Sequence, residues 1–260
     1  MRHFLIAGFV LLFAIAQIVA SFLPQQLGWS SSIVERSAQN QTAATPLRPT
    51  FAIWALIFLS SLAFATYGFF VKQNEATLWR RVALIAASVF ALNTLWELYV
   101  PLQNLDWISF AIIAAAAFLA NLAVFRIANW PAVLTSAERW LVAIPLQIFA
   151  GWLTAATFVG LPSVLAWANV SIIDPRADAT AILVVIGLTI VTCGVICKTR
   201  AWPYAATVCW AISGVVASNI YREDRPAIVI AAIFSGLIVV CITAFALHRK
   251  AAKTTNGDSF

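Results

Sequence analysis

Eight long apolar runs separated by polar segments organise the chain: Phe4–Leu23, Thr50–Val71, Val82–Leu102, Trp107–Ile127, Trp140–Leu161, Ala179–Cys197, Trp202–Ile220 and Pro226–Leu247. Each is close to the roughly 20 residues a helix needs to cross about 30 Å of hydrocarbon. The runs are continuous rather than alternating, which favours helices over barrel strands. A helix also satisfies its own backbone polar groups, as lipid demands. The joins are short except for the first, Pro24–Pro49, which is rich in Ser, Gln and Thr. The pattern predicts an all-α integral membrane protein of about eight transmembrane helices.

Composition agrees. Of 260 residues, 62% are hydrophobic and 10% charged, against roughly half and a quarter in soluble domains. A disulfide-framed secreted module and a disordered chain are both excluded. A pI near 9.5 and a net charge of +6 raise the question of an acidic partner, and the placement of the basic residues answers it. With a cytoplasmic N-terminus, the inner segments hold 11 of them: Arg2, Lys72, Arg80, Arg81, Arg126, Arg139, Lys198, Arg200, Arg249, Lys250 and Lys253. The outer segments hold 5: Arg36, Arg48, Arg176, Arg222 and Arg225. This asymmetry predicts both termini cytoplasmic and an even helix count. The charge is spread over inner loops, so no nucleic-acid partner is expected. The first residues also have the layout of a signal peptide, with small residues at Ala14–Ala16. The apolar run continuing through Leu23 favours a retained helix; cleavage would leave seven spans.

Recognisable reaction chemistry is scarce. His3 and His248 stand at helix ends on the membrane surface, without metal-ligand neighbours, and Cys193, Cys197, Cys209 and Cys241 lie within spans as small packing residues. No phosphate-binding loop, nucleophile elbow or dinucleotide-binding glycine pattern occurs. No catalytic residue, metal site or cofactor is therefore assigned, and no enzyme is expected. Polar residues inside the spans carry more information. Asn93 and Glu97, four apart, share a helix face near the outer end of the third span, where Glu97 is either functional or solvated at the interface. Gln147, Thr154 and Asn121 are expected to hydrogen-bond between helices. Two glycosylation triplets, Asn40-Gln-Thr42 and Asn169-Val-Ser171, fall in predicted outer loops.

The 11 tryptophans sort into two groups. Trp29, Trp79, Trp107, Trp130, Trp140, Trp167 and Trp202 stand where helices meet loops, as interfacial belts require. Trp54, Trp96, Trp152 and Trp210 lie inside spans. The assigned orientation puts the first three in the outer half, level with Asn93 and Glu97. Either they line a cavity beneath the long first loop, or they fill the bundle core.

The stretches LRPTFAIWALIFLSSLAFATYGFF, LNTLW and PLQIFAGWLTAATF resemble the TspO/MBR family, the tryptophan-rich sensory or translocator proteins. Asn93-x-x-Trp96 is the best local match. Pro49 with Trp54 resembles the family's proline-led second helix, and Pro145, Trp152 and Ala156 resemble its proline, tryptophan and small-residue run. The intervals Phe51–Trp54 and Pro145–Trp152 depart from the usual spacing, and Glu97 replaces a small uncharged residue. The resemblance implies a divergent, extended member, with a five-helix bundle over 1–167 and three additional C-terminal helices over 168–260. It also implies a pocket capped by the first loop, with Trp54, Asn93, Trp96, Glu97, Pro145 and Trp152 as ligand-binding residues.

The implied function is a membrane-embedded binding protein (sensor, scavenger or carrier) for a hydrophobic ligand, tetrapyrrole-like or sterol-like, with the lipid bilayer as its other partner. The competing reading is a small secondary transporter that uses Glu97 as an intramembrane carboxylate. Gly187 and Gly194 offer a small-residue face that suits an enlarged bundle or a homo-oligomer contact.

Overall fold

A computed structural model describes residues 2–28, 32–71, 77–170 and 174–257, without the side chains of Arg2, Glu223 and residues 250–257. Trp29, Lys72 and Ser171 of the second glycosylation triplet lie outside the described residues, as do the side chains of Arg2, Lys250 and Lys253.

The described helices are α1 (Arg2–Gln26), α2 (Ile33–Gln39), α3 (Ile53–Tyr67), α4 (Leu78–Leu102), α5 (Trp107–Ala128), α6 (Ser136–Glu138), α7 (Ile144–Trp167), α8 (Asp178–Thr199), α9 (Trp202–Ser218) and α10 (Pro226–Gly257). A 3-10 turn, Arg48–Ala52, leads into α3, and π turns at Arg139–Ala143 and Asn219–Glu223 precede α7 and follow α9. Among the described residues, eight helical stretches are long and apolar enough to cross a membrane: His3–Gln26, Arg48–Tyr67, Leu78–Leu102, Trp107–Ala128, Ser136–Trp167, Asp178–Thr199, Trp202–Arg222 and Pro226–Arg249. The chain is an integral, multi-pass membrane protein.

In lipid, helices gain little from burying apolar surface against each other, so close approach through small residues decides the packing. Helix α1 presents Ala7, Val10, Ala14 and Gln17 to the interior at alternating intervals of three and four, all fully buried. Ala116, Ala120 and Ala123 of α5 and Ala83, Ala86 and Ala87 of α4 are buried in the same core. Helices α7, α8 and α9 join it without a break. Gly151 lets α7 approach α9 closely: a Cβ there would sit 2.7 Å from the Tyr204 carbonyl oxygen.

The π turn before α7 has a local cause. Pro145 has no N–H to return to residue 141 and its ring crowds the preceding turn, so the helix widens there. The Ile144 N–H accordingly bonds five residues back, to Arg139.

Three expectations need correction. Trp79 is not a belt residue. It is 1% exposed, its indole N–H donates to the Phe64 carbonyl at 3.0 Å, and Gly68 clears the space for its ring. His3 is buried beside it rather than at the surface, with Nε2 2.9 Å from the Gly68 carbonyl oxygen. Gln147 is half-buried and makes no side-chain hydrogen bond among the described residues; Thr154 and Asn121 do bond across helices.

Candidate functional site

The long first connection folds as a strap across one end of the bundle. Helix α2 starts on a reciprocal cap: the Glu35 N–H donates to Ser32 Oγ (3.1 Å), and the Ser32 N–H to Glu35 Oε2 (2.7 Å). The donated backbone N–H of Ser32 holds the Glu35 carboxyl below its ordinary range. One side of the strap is fastened to the α4–α5 corner. The Arg36 guanidinium donates to the Pro101 carbonyl at 3.3 and 2.9 Å, satisfying an orphan acceptor at the α4 terminus, and Asn40 Nδ2 donates to Asn104 Oδ1 at 2.7 Å.

Its other side is fastened to α9. The Leu47 N–H donates to the Gly214 carbonyl (2.9 Å), Trp210 Nε1 to the Thr50 carbonyl (2.8 Å) and Asn219 Nδ2 to the Ala43 carbonyl (2.8 Å). Gly214 is required for this seat. A Cβ there would overlap the Thr50 hydroxyl and lie 2.9 Å from Pro46 Cβ.

Beneath the strap is a pocket with about 60 Å3 of free space. Ile33, Ser37, Thr45 and Pro46 of the strap form its roof, and Phe51, Trp96 and Trp152 contribute aromatic walls. Ala155, Ala156, Val159 and Gly160 continue the Trp152 face of α7 as a smooth small-residue surface, and Ala211 of α9 joins the lining. Phe51 meets Trp152 edge to face, with ring centroids 6.0 Å apart. The surface is almost wholly apolar, yet Trp152 Nε1 is buried without a hydrogen-bond partner. A buried, unused donor is costly.

The residues singled out in the sequence divide between several places. Trp96 and Trp152 line the pocket together. Trp54 packs edge to face on Trp152 at 5.9 Å and stacks on Phe58 at 5.4 Å, so it backs the wall without lining it. Asn93 is fully buried and donates from Nδ2 to Gln17 Oε1 on α1 at 3.1 Å. Glu97, one turn further on the same face, is 2% exposed and forms no hydrogen bond or ion pair among the described residues. Neither lines the pocket. Pro145 is buried at the opening of α7, about 10 Å of helix rise before Trp152.

Sequence reasoning put the first loop over the pocket but missed Phe51, the helical form of that roof and the contribution of α9. Phe51 carried a usable signal, lying three residues before Trp54. Ala211 and Gly214 carried none, because their role comes from a contact with a loop some 160 residues earlier.

A polar knot joins the pocket wall to α9. Thr154 Oγ1 accepts from Asn121 Nδ2 of α5 and from the Tyr204 hydroxyl of α9, each at 2.9 Å, and donates to the Ala150 carbonyl at 2.8 Å. Thr154 lies two residues from Trp152, so the knot fixes the helix segment that presents the indole.

A family model described as TSPO-like protein matches residues 4–245. The matched stretch takes in the last three spans as well as the first five. No curated protein and no solved structure matches the chain.

Proposed function

Because the chain belongs to the TSPO-like protein family, we propose that this membrane protein binds a hydrophobic, aromatic ligand beneath its strap, as a sensor, scavenger or carrier. The observation that carries the reading is the buried pocket walled by Phe51, Trp96 and Trp152, in which Trp152 Nε1 has no partner. Flat aromatic walls favour a flat ligand, and the indole N–H favours an acceptor on it, such as a carboxylate, carbonyl or ring nitrogen. Trp54 supports this wall from behind. Pro145 sets the widened turn from which α7 rises.

The free space of about 60 Å3 is well below the roughly 300–1,000 Å3 of a drug-sized site. A tetrapyrrole- or sterol-sized ligand therefore enters only when the strap lifts. In this reading residues 1–167 supply most of the pocket walls, and residues 168–260 add Ala211 to them and hold one side of the roof. Both termini lie on the side of the basic loops.

The test is a protoporphyrin IX titration of the full chain in vesicles, read by tryptophan quenching. Trp152→Phe keeps an aromatic wall but removes the N–H, and should weaken binding about tenfold. Trp96→Leu should weaken it further. Equal affinity in both variants refutes the pocket.

A second reading has one observation in its favour. Glu97 is a charged residue type held inside a span, 2% exposed and unpaired among the described residues, and intramembrane carboxylates commonly mark proton or solute paths. Like Asn93 it does not line the pocket, so a coupled transporter would work through the α1–α4 side of the bundle.

A further inference from the structure

A second cavity, of about 470 Å3, lies on the lipid-facing side of the molecule between α3, α7 and α9. Leu56, Ile148, Trp202, Ala206 and Trp210 are among its walls, and Leu56, Trp202 and Trp210 are exposed on the membrane-spanning surface. It is more open than the pocket under the strap. The Thr207 hydroxyl in its wall already donates to the Pro203 carbonyl, and the Trp210 indole to the Thr50 carbonyl. The body of the groove thus suits a hydrocarbon chain better than a polar group.

One mouth of this groove has a different character. Trp202 opens α9 two residues after Arg200, and Ile144, another lining residue, follows Arg139 by five. Arg139 and Arg200 are exposed, and neither guanidinium makes a hydrogen bond or ion pair among the described residues. Two uncommitted guanidiniums this close along the chain to the lining residues of an apolar groove match a phosphate attached to an acyl chain.

We propose that the α3–α7–α9 groove is a binding site for one anionic phospholipid, its acyl chain lying along Ala206 and Ile148 and its phosphate held at Arg139 and Arg200. The site stands apart from the pocket under the strap and does not depend on what that pocket binds. It does share the Trp210 wall, so a lipid seated there abuts the bond that fastens the strap.

The experiment is native mass spectrometry of the full chain released from bilayer discs of equimolar phosphatidylglycerol and phosphatidylcholine. One retained phosphatidylglycerol is expected. Ala206→Trp, an exposed position, fills the groove and should abolish retention. Arg139→Gln with Arg200→Gln leaves the groove intact and should weaken phosphatidylglycerol about 25-fold, at roughly fivefold per cation. Arg126→Gln, on another inner-face segment, should change nothing. Equal retention of the two lipids, retention that survives Ala206→Trp, a bound detergent in place of lipid, or a dimer that Ala206→Trp dissociates would each overturn the proposal.

Discussion

The indole N–H of Trp210 donates to the backbone carbonyl of Thr50 at 2.8 Å, joining α9 to a loop 160 residues earlier. With the Leu47–Gly214 bond one turn away, it turns the seventh span into the anchor of the strap. A bundle of the first five spans alone would have neither bond. Gly214→Val places a branched side chain where the Thr50 hydroxyl and Pro46 now sit. Both anchoring bonds should be lost, at about 1 kcal/mol each. The expected result is at least tenfold faster hydrogen exchange at the Leu47 amide, with the spans unaffected. Trp210→Phe removes one bond and should give a smaller acceleration. Wild-type exchange in Gly214→Val would show that the strap is held elsewhere.

Thr154 serves two donors at once, Asn121 Nδ2 and the Tyr204 hydroxyl. Thr154→Val keeps the shape and strands the Tyr204 hydroxyl, while Asn121 Nδ2 keeps its bond to the Ala117 carbonyl, a defect of about 1–3 kcal/mol. Interhelical bonds in membranes average nearer 0.6 kcal/mol, which places the expected loss toward the lower end. Tyr204→Phe removes one donor and leaves the acceptor served by Asn121, so it should cost less. Reversible unfolding in mixed micelles gives the order: Thr154→Val below Tyr204→Phe below wild type. The reverse order would mean that Thr154 is not the centre of the knot.

The fold was legible where lipid dictates it. All eight spans stand in the sequence as apolar runs because each helix must individually cross the hydrocarbon, and the Asp106 cap on α5 marks its start locally. Depth was legible too, since Trp54, Trp96 and Trp152 do meet or adjoin at one level. Azimuth was not. Trp96 and Glu97 are neighbours in sequence and level in depth, yet they lie about 100° apart around a helix, and the facing helices decide which one meets the pocket. Trp79 shows the same limit: its position at a helix start resembles that of a belt residue, and its burial depends on Gly68 and Phe64 of another span. The strap's anchors on α9 have no local signature at all.

Glu35 links the roof of the pocket to pH. Its carboxylate receives the Ser32 N–H at the start of α2, and this bond lowers its pKa from the ordinary 4.5. A depressed folded pKa means that the stabilisation is complete above the unfolded value and is lost as pH falls through the folded one. Capping of α2 should therefore persist at pH 5 to 7, weaken below about 4.5 and be lost as pH falls through the lowered Glu35 pKa. Exchange at the α2 amides should rise in that acid range, and Glu35→Gln should flatten the response. An acid response unchanged in Glu35→Gln would assign it to another group.

Glu97 separates the two functional readings. It shares a helix face with Asn93, which is committed to Gln17 on α1, and it does not line the pocket. Glu97→Gln keeps the volume and removes the ionisable group. If the protein works by binding under the strap, protoporphyrin affinity should stay within about twofold, since no direct contact changes. Trp152→Phe in the same vesicles should show its tenfold loss. If Glu97 couples transport, Glu97→Gln should instead abolish solute uptake driven by a pH gradient, while quenching at the tryptophans is unaltered. A large loss of protoporphyrin affinity in Glu97→Gln would contradict the geometry, because Glu97 is not among the residues that line the pocket.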